Sequence, residues 1–497
     1  MKGVLPHSEL ARAQLHVIQS CFRAVNLKLF ILGPVGRGKE MGLVQFKDKL
    51  FVLPWSDGYI VYLPLNGIAF LGNRDTLRVL SQLEEGDSTP ESDSDRQLIQ
   101  FLQNIGFFED ESTLLPHFLD PDDEFAPTSV GISTTADCNL GCVYCYSKAG
   151  EEKDVVDWAA VKNAIDFVGD NAVKKKVDGF QVGFYGGGEP TYTWQLMVET
   201  VKYARSVAKQ KELTVFLSTG TNAMLSEQRA IWLAQNFNLI QVSWDGPQVI
   251  QDAHRPTPNR HGSFEVVFST IKTIEKHGCP YRLRCTISDY SVSQMVDIIE
   301  FVHEHFKPIS VQFEPLMATG RGLHSLLRSP EISAFASEFV CAAKKARDYG
   351  ITLFTTVAQL GNISSHSCGV HTGNFLVTPY GQATLCTEVT NPKQSEANAY
   401  IYGDFDKNIG EFIFDLEKVR NWRSTNVNNI PRCANCFCKW SCAGGCSHAI
   451  DYGPSLEQRE YRCLLTRATT KALLEEYFNH GQALVQLSTE MTSQECK

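Results

Sequence analysis

Between residues 129 and 315 the chain alternates strand-like and helix-like segments, and this rhythm constrains the fold more than any other feature. SVGIS (129–133), FQVGFY (180–185), LTVFLS (213–218), LIQVSW (239–244), YRLRCTI (281–287) and ISVQFE (309–314) read as strands. Each is short, rich in β-branched and aromatic residues, and bounded by polar or glycine-containing stretches. VVDWAAVKNAIDFVGDNAV, TWQLMVETVKYARSVAKQ, SEQRAIWLAQNF, FEVVFSTIKTIEKHG and SVSQMVDIIEFVHEHF lie between them, with apolar residues recurring near every 3.6 positions. Strands separated by helices pair in parallel through right-handed crossovers. The expectation is an α/β domain over 129–330, a partial (β/α)6 version of the eight-stranded TIM-type barrel. Its reactive residues belong at the C-terminal ends of the strands.

The loop after the first of these strands holds ADCNLGCVYCY (136–146), with Cys138, Cys142 and Cys145 separated by three residues and then two. The chain has 16 cysteines, and most of the others crowd into its last third. No apolar run is long enough to cross a membrane, and MKGVLPHSELARAQ lacks a signal peptide's apolar core. The chain therefore reads as cytoplasmic, with no membrane partner, where thiols stay reduced and dense cysteines bind metal. A formal net charge of −10 argues against a nucleic-acid partner.

Residues 1–118 carry no clustered cysteines. LVQFKDKLFVL and GYIVYLPL read as strands around a Lys-Asp-Lys turn, and GIAFLGNRDTLRVLSQL reads as a helix. EEGDSTPESDSD (84–95) reads as a polar loop and RQLIQFLQNIGFF as a short helix, together a compact winged-helix-like module. Residues 119–128 form a linker. Residues 331–497 read as a bridging helix, a cysteine-rich, strand-poor tail and a last helix, LLTRATTKALLEEYFNHGQALVQL.

The spacing of Cys138, Cys142 and Cys145, with Tyr144 before the last, resembles the radical S-adenosylmethionine superfamily. The resemblance implies a [4Fe–4S] cluster with one iron left open to S-adenosylmethionine. A structural zinc site with a distant fourth ligand is the alternative for the spacing alone. FYGGGEPT (184–191) stands where the family's methionine-binding motif belongs, which implicates Gly187, Gly188 and Glu189. LSTGTNAML (217–225) assigns Ser218 a polar contact to the cofactor and draws in Asn222, which as a helix cap has a structural alternative. VSWDGP (242–247), with DAHRP downstream, implicates Ser243 and Asp245, and Leu316 in VQFEPLM would lie near the adenine.

CANCFCKWSCAGGC, with Cys368, Cys386 and Cys463 around it, resembles the SPASM extension, a C-terminal iron–sulfur domain of peptide-modifying members. Carried over by position, Cys433, Cys436, Cys442 and Cys463 hold one auxiliary cluster, and Cys368, Cys386 and Cys446 a second. Three [4Fe–4S] clusters follow. The second auxiliary cluster lacks a fourth ligand, because residue 374 is Asn, and Cys438 is an extra thiol. Cys21, Cys279, Cys285, Cys341 and Cys496 read as core or surface residues.

The N-terminal module resembles the peptide-recognition element of maturases, which pairs its sheet edge with a precursor's leader. The implied function is a peptide maturase that installs a crosslink, carbon–carbon or carbon–sulfur, in a ribosomally made precursor. Flavodoxin or ferredoxin would be the reducing partner. A sulfatase-maturase-like formylglycine-generating enzyme is the alternative. That family has an acidic residue right after its second SPASM cysteine, whereas here Thr387 follows Cys386 and Glu388 comes one position late. A peptide epimerase, with Cys438 as hydrogen donor, and a non-enzymatic iron–sulfur redox carrier stand further off. Asp245, Glu314 and Glu388 are the candidate proton acceptors, by position only.

Overall fold

The computed structural model describes residues 44–46, 50–108, 113–453, 455–479 and 482–487. Cys21, Cys496 and the Lys-Asp-Lys turn at 47–49 lie outside them. Among the described residues no helix is long and apolar enough to cross a membrane. The chain divides into two compact units, the first ending at Leu115 and taking in Phe478–Gln486, the second running from Pro116 to Tyr477.

In the first unit, β1 (Val44–Phe46), β2 (Leu50–Trp55), β3 (Gly58–Leu63) and β4 (Ile68–Gly72) form an antiparallel meander. Alternate residues Leu50, Val52, Val61, Leu63, Ile68 and Phe70 form a core with Leu80 and Leu102 of the helices Arg74–Glu84 and Asp93–Asn104. The helical reading of GIAFLGNRDTLRVLSQL therefore holds only from Arg74. Asn73 starts the helix with a capping box: its side chain accepts from the Thr76 N–H at 2.9 Å, and the Asn73 N–H donates to the Thr76 hydroxyl at 3.2 Å. The polar loop is likewise shorter than expected, because Ser92 caps a helix that begins at Asp93 and accepts from the Asp95 N–H at 3.1 Å.

Asp95 is 3% exposed and takes both its oxygens to Arg78 Nη2 at 2.8 Å. The Arg78 guanidinium holds its carboxyl below the usual carboxylate range. A carboxylate with a depressed native pKa stabilises above the unfolded value of about 3.9 and loses that contribution as pH falls through the native value. Asp95→Asn is expected to weaken hydrogen-exchange protection of helix Arg74–Glu84 at pH 7. The difference from wild type should shrink below about pH 4. A constant difference across that range would contradict the assignment.

The second unit is built on β5 (Ser129–Ile132), β6 (Gly179–Phe184), β7 (Thr214–Thr221), β8 (Leu239–Ser243), β9 (Tyr281–Ile287) and β10 (Ser310–Pro315). They pair in parallel in that order. These are the six strands of the alternation, and the helices between them, six where five were expected because Gln248–His254 adds one after β8, cover Val182, Phe184, Ile240, Val242, Leu283 and Phe313. β11 (Leu353–Phe354) adds in parallel beyond β10. The tail is not strand-poor. β12 (Leu376–Val377) pairs in parallel with β5, and β13 (Gln382–Thr384), β14 (Ile401–Asp406) and β15 (Glu411–Phe414) follow antiparallel. One eleven-stranded, mostly parallel sheet results. Cys138, Cys142, Cys145, Gly187, Gly188, Glu189, Asn222, Asp245 and Leu316 follow the C-terminal ends of β5, β6, β7, β8 and β10, while Ser218, Ser243 and Glu314 lie within β7, β8 and β10.

The final helix also differs from expectation. It spans Leu456–Asn479, and β16 (Leu484–Gln486) then returns to the first unit and pairs antiparallel with β4. Val485 is 6% exposed there.

Candidate functional site

The cysteine loop after β5 is held in place chiefly through its backbone groups. Gly141 donates to Pro256 O at 2.7 Å and Val143 to His254 O at 3.0 Å. Arg321 donates from its backbone N–H to Cys145 O at 2.9 Å and from Nη1 to Cys142 O at 3.2 Å, and it also reaches Ala149 O. Gly320 allows that approach, since a Cβ there would lie 2.3 Å from Tyr146 O. The three thiols are half-buried and free. Burial, with Glu189 and the neighbouring thiols, pushes Cys138 up, and burial pushes Cys142 up to about 11. Without a cationic centre Cys138 and Cys142 stay protonated and inert; iron makes the three thiols a ligand set. Among the described residues no three His, Cys, Asp or Glu groups gather about one ion position. A multi-iron cluster, whose thiolates sit on separate irons, asks for no such convergence.

A buried ionic network backs this loop. The Tyr144 hydroxyl donates to Asp245 Oδ2, and His254 Nδ1 lies 3.1 Å from that oxygen. Arg255 Nε is 3.1 Å from Asp245 Oδ1, which also accepts the Thr286 N–H at 2.9 Å. Arg255 stacks over the Tyr144 ring at 5.3 Å and reaches within 4.0 Å of Cys142 Sγ. His254 Nε2 is 3.0 Å from Ser288 Oγ. Burial opposes charge on Asp245, but Arg255, His254 and the Thr286 N–H overcome it and keep the carboxyl well below the usual range. Asp245 is fully buried and committed on both oxygens, so the structure makes it an anchor of the cysteine loop.

The glycine turn packs directly on the same loop. Gly188 donates to Thr135 O at 2.8 Å and Glu189 to Asp137 O at 2.9 Å. A Cβ on Gly188 would stand 2.0 Å from Asp137 O, so only glycine fits. The Gly187 carbonyl accepts the Ser147 hydroxyl at 2.7 Å. Glu189 is 3% exposed; its Oε1 accepts from Thr191 N–H (3.1 Å), Thr191 Oγ1 (2.6 Å) and Thr221 Oγ1 (2.8 Å), and its Oε2 from Asn222 N–H (2.8 Å). Burial nevertheless raises its pKa. Glu189→Gln turns an amide N–H₂ against donors on either side. The expected cost is about 1–3 kcal/mol locally. Cofactor retention, read by equilibrium dialysis, should fall with it; unchanged binding would refute this.

Asn222 bridges the cysteine loop, its Nδ2 lying 2.8 Å from Asn139 Oδ1 and 3.6 Å from Cys138 Sγ, and its Oδ1 accepts the Met224 N–H at 3.0 Å. The Ser218 hydroxyl pairs with that of Tyr185. Ser243 ends β8 opposite Arg284, and Leu316, 2% exposed, donates its N–H to Ile287 O at 2.7 Å.

The second cysteine set falls into two groups. Cys433, Cys436, Cys438, Cys442 and Cys463 line one small pocket with Arg432, Lys439 and Arg467. Burial pushes Cys433 up to about 11 and Cys442 up to about 12. Cys438 is fully buried. Cys386 and Cys446 lie close enough to influence one another, and Cys368 and Cys446 likewise. The Cys386 turn touches the first site: the Thr387 carbonyl accepts the Tyr146 hydroxyl at 3.4 Å and lies 3.1 Å from where a Gly186 Cβ would be. Glu388, beside it, is 3.0 Å from His448 Nδ1. Burial works against its charge, and His448, Arg284 and Arg462 lower its pKa all the same. Glu314 is bound to Thr356 N–H (2.8 Å), Thr356 Oγ1 (2.6 Å) and Gln312 Nε2 (2.9 Å). Every described cysteine is free; Cys279 and Cys285 are buried and Cys341 exposed.

Sequence reasoning missed His254, Arg255, Arg321 and His448 as parts of the site. DAHRP after the fourth strand, ATGRG after the sixth and the position of His448 two residues after Cys446 were their local signals.

A family model for the Radical SAM superfamily matches residues 132–302. The chain is 22% identical over 331 residues to a cysteine-type anaerobic sulfatase-maturating enzyme of Clostridium novyi, covering 63% of this chain and 85% of that protein. It is 24% identical over 350 residues to a serine-type anaerobic sulfatase-maturating enzyme of Bacteroides thetaiotaomicron, covering 62% and 80%. Among solved structures, native anSMEcpe with bound AdoMet and Cp18Cys peptide is similar with a TM-score of 0.55 at 16% identity, over 71% of this chain and 99% of that one.

Proposed function

We propose that this chain, which carries a radical SAM domain over residues 132–302, is a maturase that crosslinks a side chain of a ribosomally made precursor peptide. The observation that carries the reading is the three-thiol loop clamped onto the glycine turn, with seven further matched cysteines grouped in the same unit. Cys138, Cys142 and Cys145 would hold the first [4Fe–4S] cluster. Cys433, Cys436, Cys442 and Cys463 would hold one auxiliary cluster, and Cys368, Cys386 and Cys446 the other. With S-adenosylmethionine bound, these groups would supply adenosyl-radical chemistry for removing a hydrogen atom and an acceptor for one further electron.

The chain's own residues do the rest. Arg255 and Arg321 hold the cysteine loop, and Gly188 keeps the glycine turn against it. Tyr144 belongs, in this reading, to the buried anchor, while Gly187, Glu189, Ser218, Asn222, Ser243 and Leu316 frame the cofactor. A crosslink needs a hydrogen atom, a second electron and a proton removed from the peptide, two hydrogens in all. The nearness of the Cys386 turn to Tyr146 and Gly186 favours such a second electron acceptor beside the site. Cys438, on which the epimerase alternative rests, is fully buried. A leader docking on the N-terminal module, a winged-helix-like sheet, and a flavodoxin or ferredoxin as reductant complete the proposal.

A sulfatase maturase is the second reading, favoured by the two sulfatase-maturating relatives. Co-expression with a candidate precursor taken from neighbouring small open reading frames, followed by mass spectrometry, separates the two. A loss of two hydrogens without an aldehyde supports the crosslink. A hydrazide-reactive aldehyde on Cys or Ser supports formylglycine, and an unchanged mass overturns both.

A further inference from the structure

We propose that Glu388 is the fourth protein ligand of the iron–sulfur group held by Cys368, Cys386 and Cys446, oriented for that role by His448. The inference rests on the reading that these three thiols hold a cluster, and it gives Glu388 a role other than proton acceptor.

Three thiolates leave one iron of a four-iron cluster without a protein ligand. Asn374 does not supply it, since its Nδ2 donates to Leu385 O at 3.2 Å. His371 is also used, with Nδ1 3.2 Å from Trp422 O and Nε2 3.5 Å from Ser447 Oγ. Glu388 differs from both. It shares a tight turn with Cys386, closed by the Val389 N–H donating to Cys386 O at 3.1 Å. Its backbone carbonyl is pinned by Gln394 Nε2 at 2.9 Å, which fixes the direction of the turn.

The side chain is tied to the third cysteine from the other end. His448 follows Cys446 by two residues, and its Nδ1 lies 3.0 Å from Glu388 Oε2. Its Nε2 lies 2.9 Å from Glu396 Oε1, which fixes the ring. One Glu388 oxygen thus lies at ion-pair distance from the imidazole, while Oε1 has no hydrogen-bond partner among the described residues. A carboxylate with one oxygen paired to an imidazole and the other open is an arrangement suited to a metal ligand.

The test uses the full chain, reconstituted anaerobically and reduced, and reads electron paramagnetic resonance. The signal lost in Cys386→Ala identifies this cluster. If no signal or iron is lost there, the underlying reading fails, and the Glu388 proposal with it. With the signal identified, wild type is titrated with 2-mercaptoethanol. A filled iron gives no shift in that signal; a shift in wild type overturns the proposal whether or not any Glu388 variant folds. Glu388→Ala is expected to change the signal and make it thiol-sensitive, and Glu388→Cys to restore thiol insensitivity. An unchanged Cys386-dependent signal in Glu388→Ala, with product formation lost, would make Glu388 a proton acceptor and overturn the assignment.

Discussion

Replacing Cys138, Cys142 and Cys145 together with alanine is expected to end all reductive cleavage of S-adenosylmethionine and to leave the sheet folded. The two halves of that result have separate causes. Cleavage needs thiolates on iron, and alanine offers none. The loop's position comes from backbone bonds: Gly141 to Pro256 O, Val143 to His254 O, and Arg321 to Cys145 O. None of these involves a sulfur atom, so alanine keeps them. The iron lost on reconstitution should be about four per chain, the content of one cubane cluster. Circular dichroism of the metal-free variant should match that of metal-free wild type within about 0.5 kcal/mol of stability, the range of a mild substitution. Residual 5′-deoxyadenosine above background would show that another site performs the cleavage.

The second large effect falls on stability. Asp245→Ala removes the acceptor shared by Arg255, His254, Tyr144 and the Thr286 N–H. Arg255 is 7% exposed and His254 fully buried, so water cannot take the place of the lost carboxylate. Breaking a buried pair from one side leaves an uncompensated charge and costs about 3–5 kcal/mol. Urea unfolding of the metal-free chain should register that loss. The cysteine loop should suffer with it, because His254 and Pro256 carry the carbonyls on which Gly141 and Val143 hang. Asp245→Asn keeps the volume and one acceptor, so a smaller loss is expected. A cost below about 1 kcal/mol for the alanine variant would mean that the network is solvated.

The central strands and helices were legible because both faces of each element carry information. A parallel strand buried on both sides gives a continuous apolar run, and the crossover helices repeat at 3.6 residues. β12 was not legible, since two residues, Leu376 and Val377, show no period. Its place beside β5 comes from long-range pairing alone. β16 is hidden for the same reason, and β4 was absorbed into a helix although Gly72-Asn73-Arg74-Asp75-Thr76 interrupts the apolar run between Leu71 and Leu77. The Asn73 cap was the signal that marks the boundary.

In the site, the glycine turn and the cysteine loop could be read locally, because each is contiguous. The Asp245 network could not. Tyr144 and Asp245 stand 101 residues apart, and nothing in either segment names the other. Asp245 could therefore be read from its strand-end position as a reacting group, whereas its full burial makes it an anchor.

The most direct test of the account is chemical quantification of S-adenosylmethionine turnover. Wild-type chain, reconstituted with iron and sulfide under argon and reduced with dithionite, should release 5′-deoxyadenosine and methionine in equal amounts, with no peptide added. Zinc bound by Cys138, Cys142 and Cys145 and no 5′-deoxyadenosine from iron-loaded protein would contradict it.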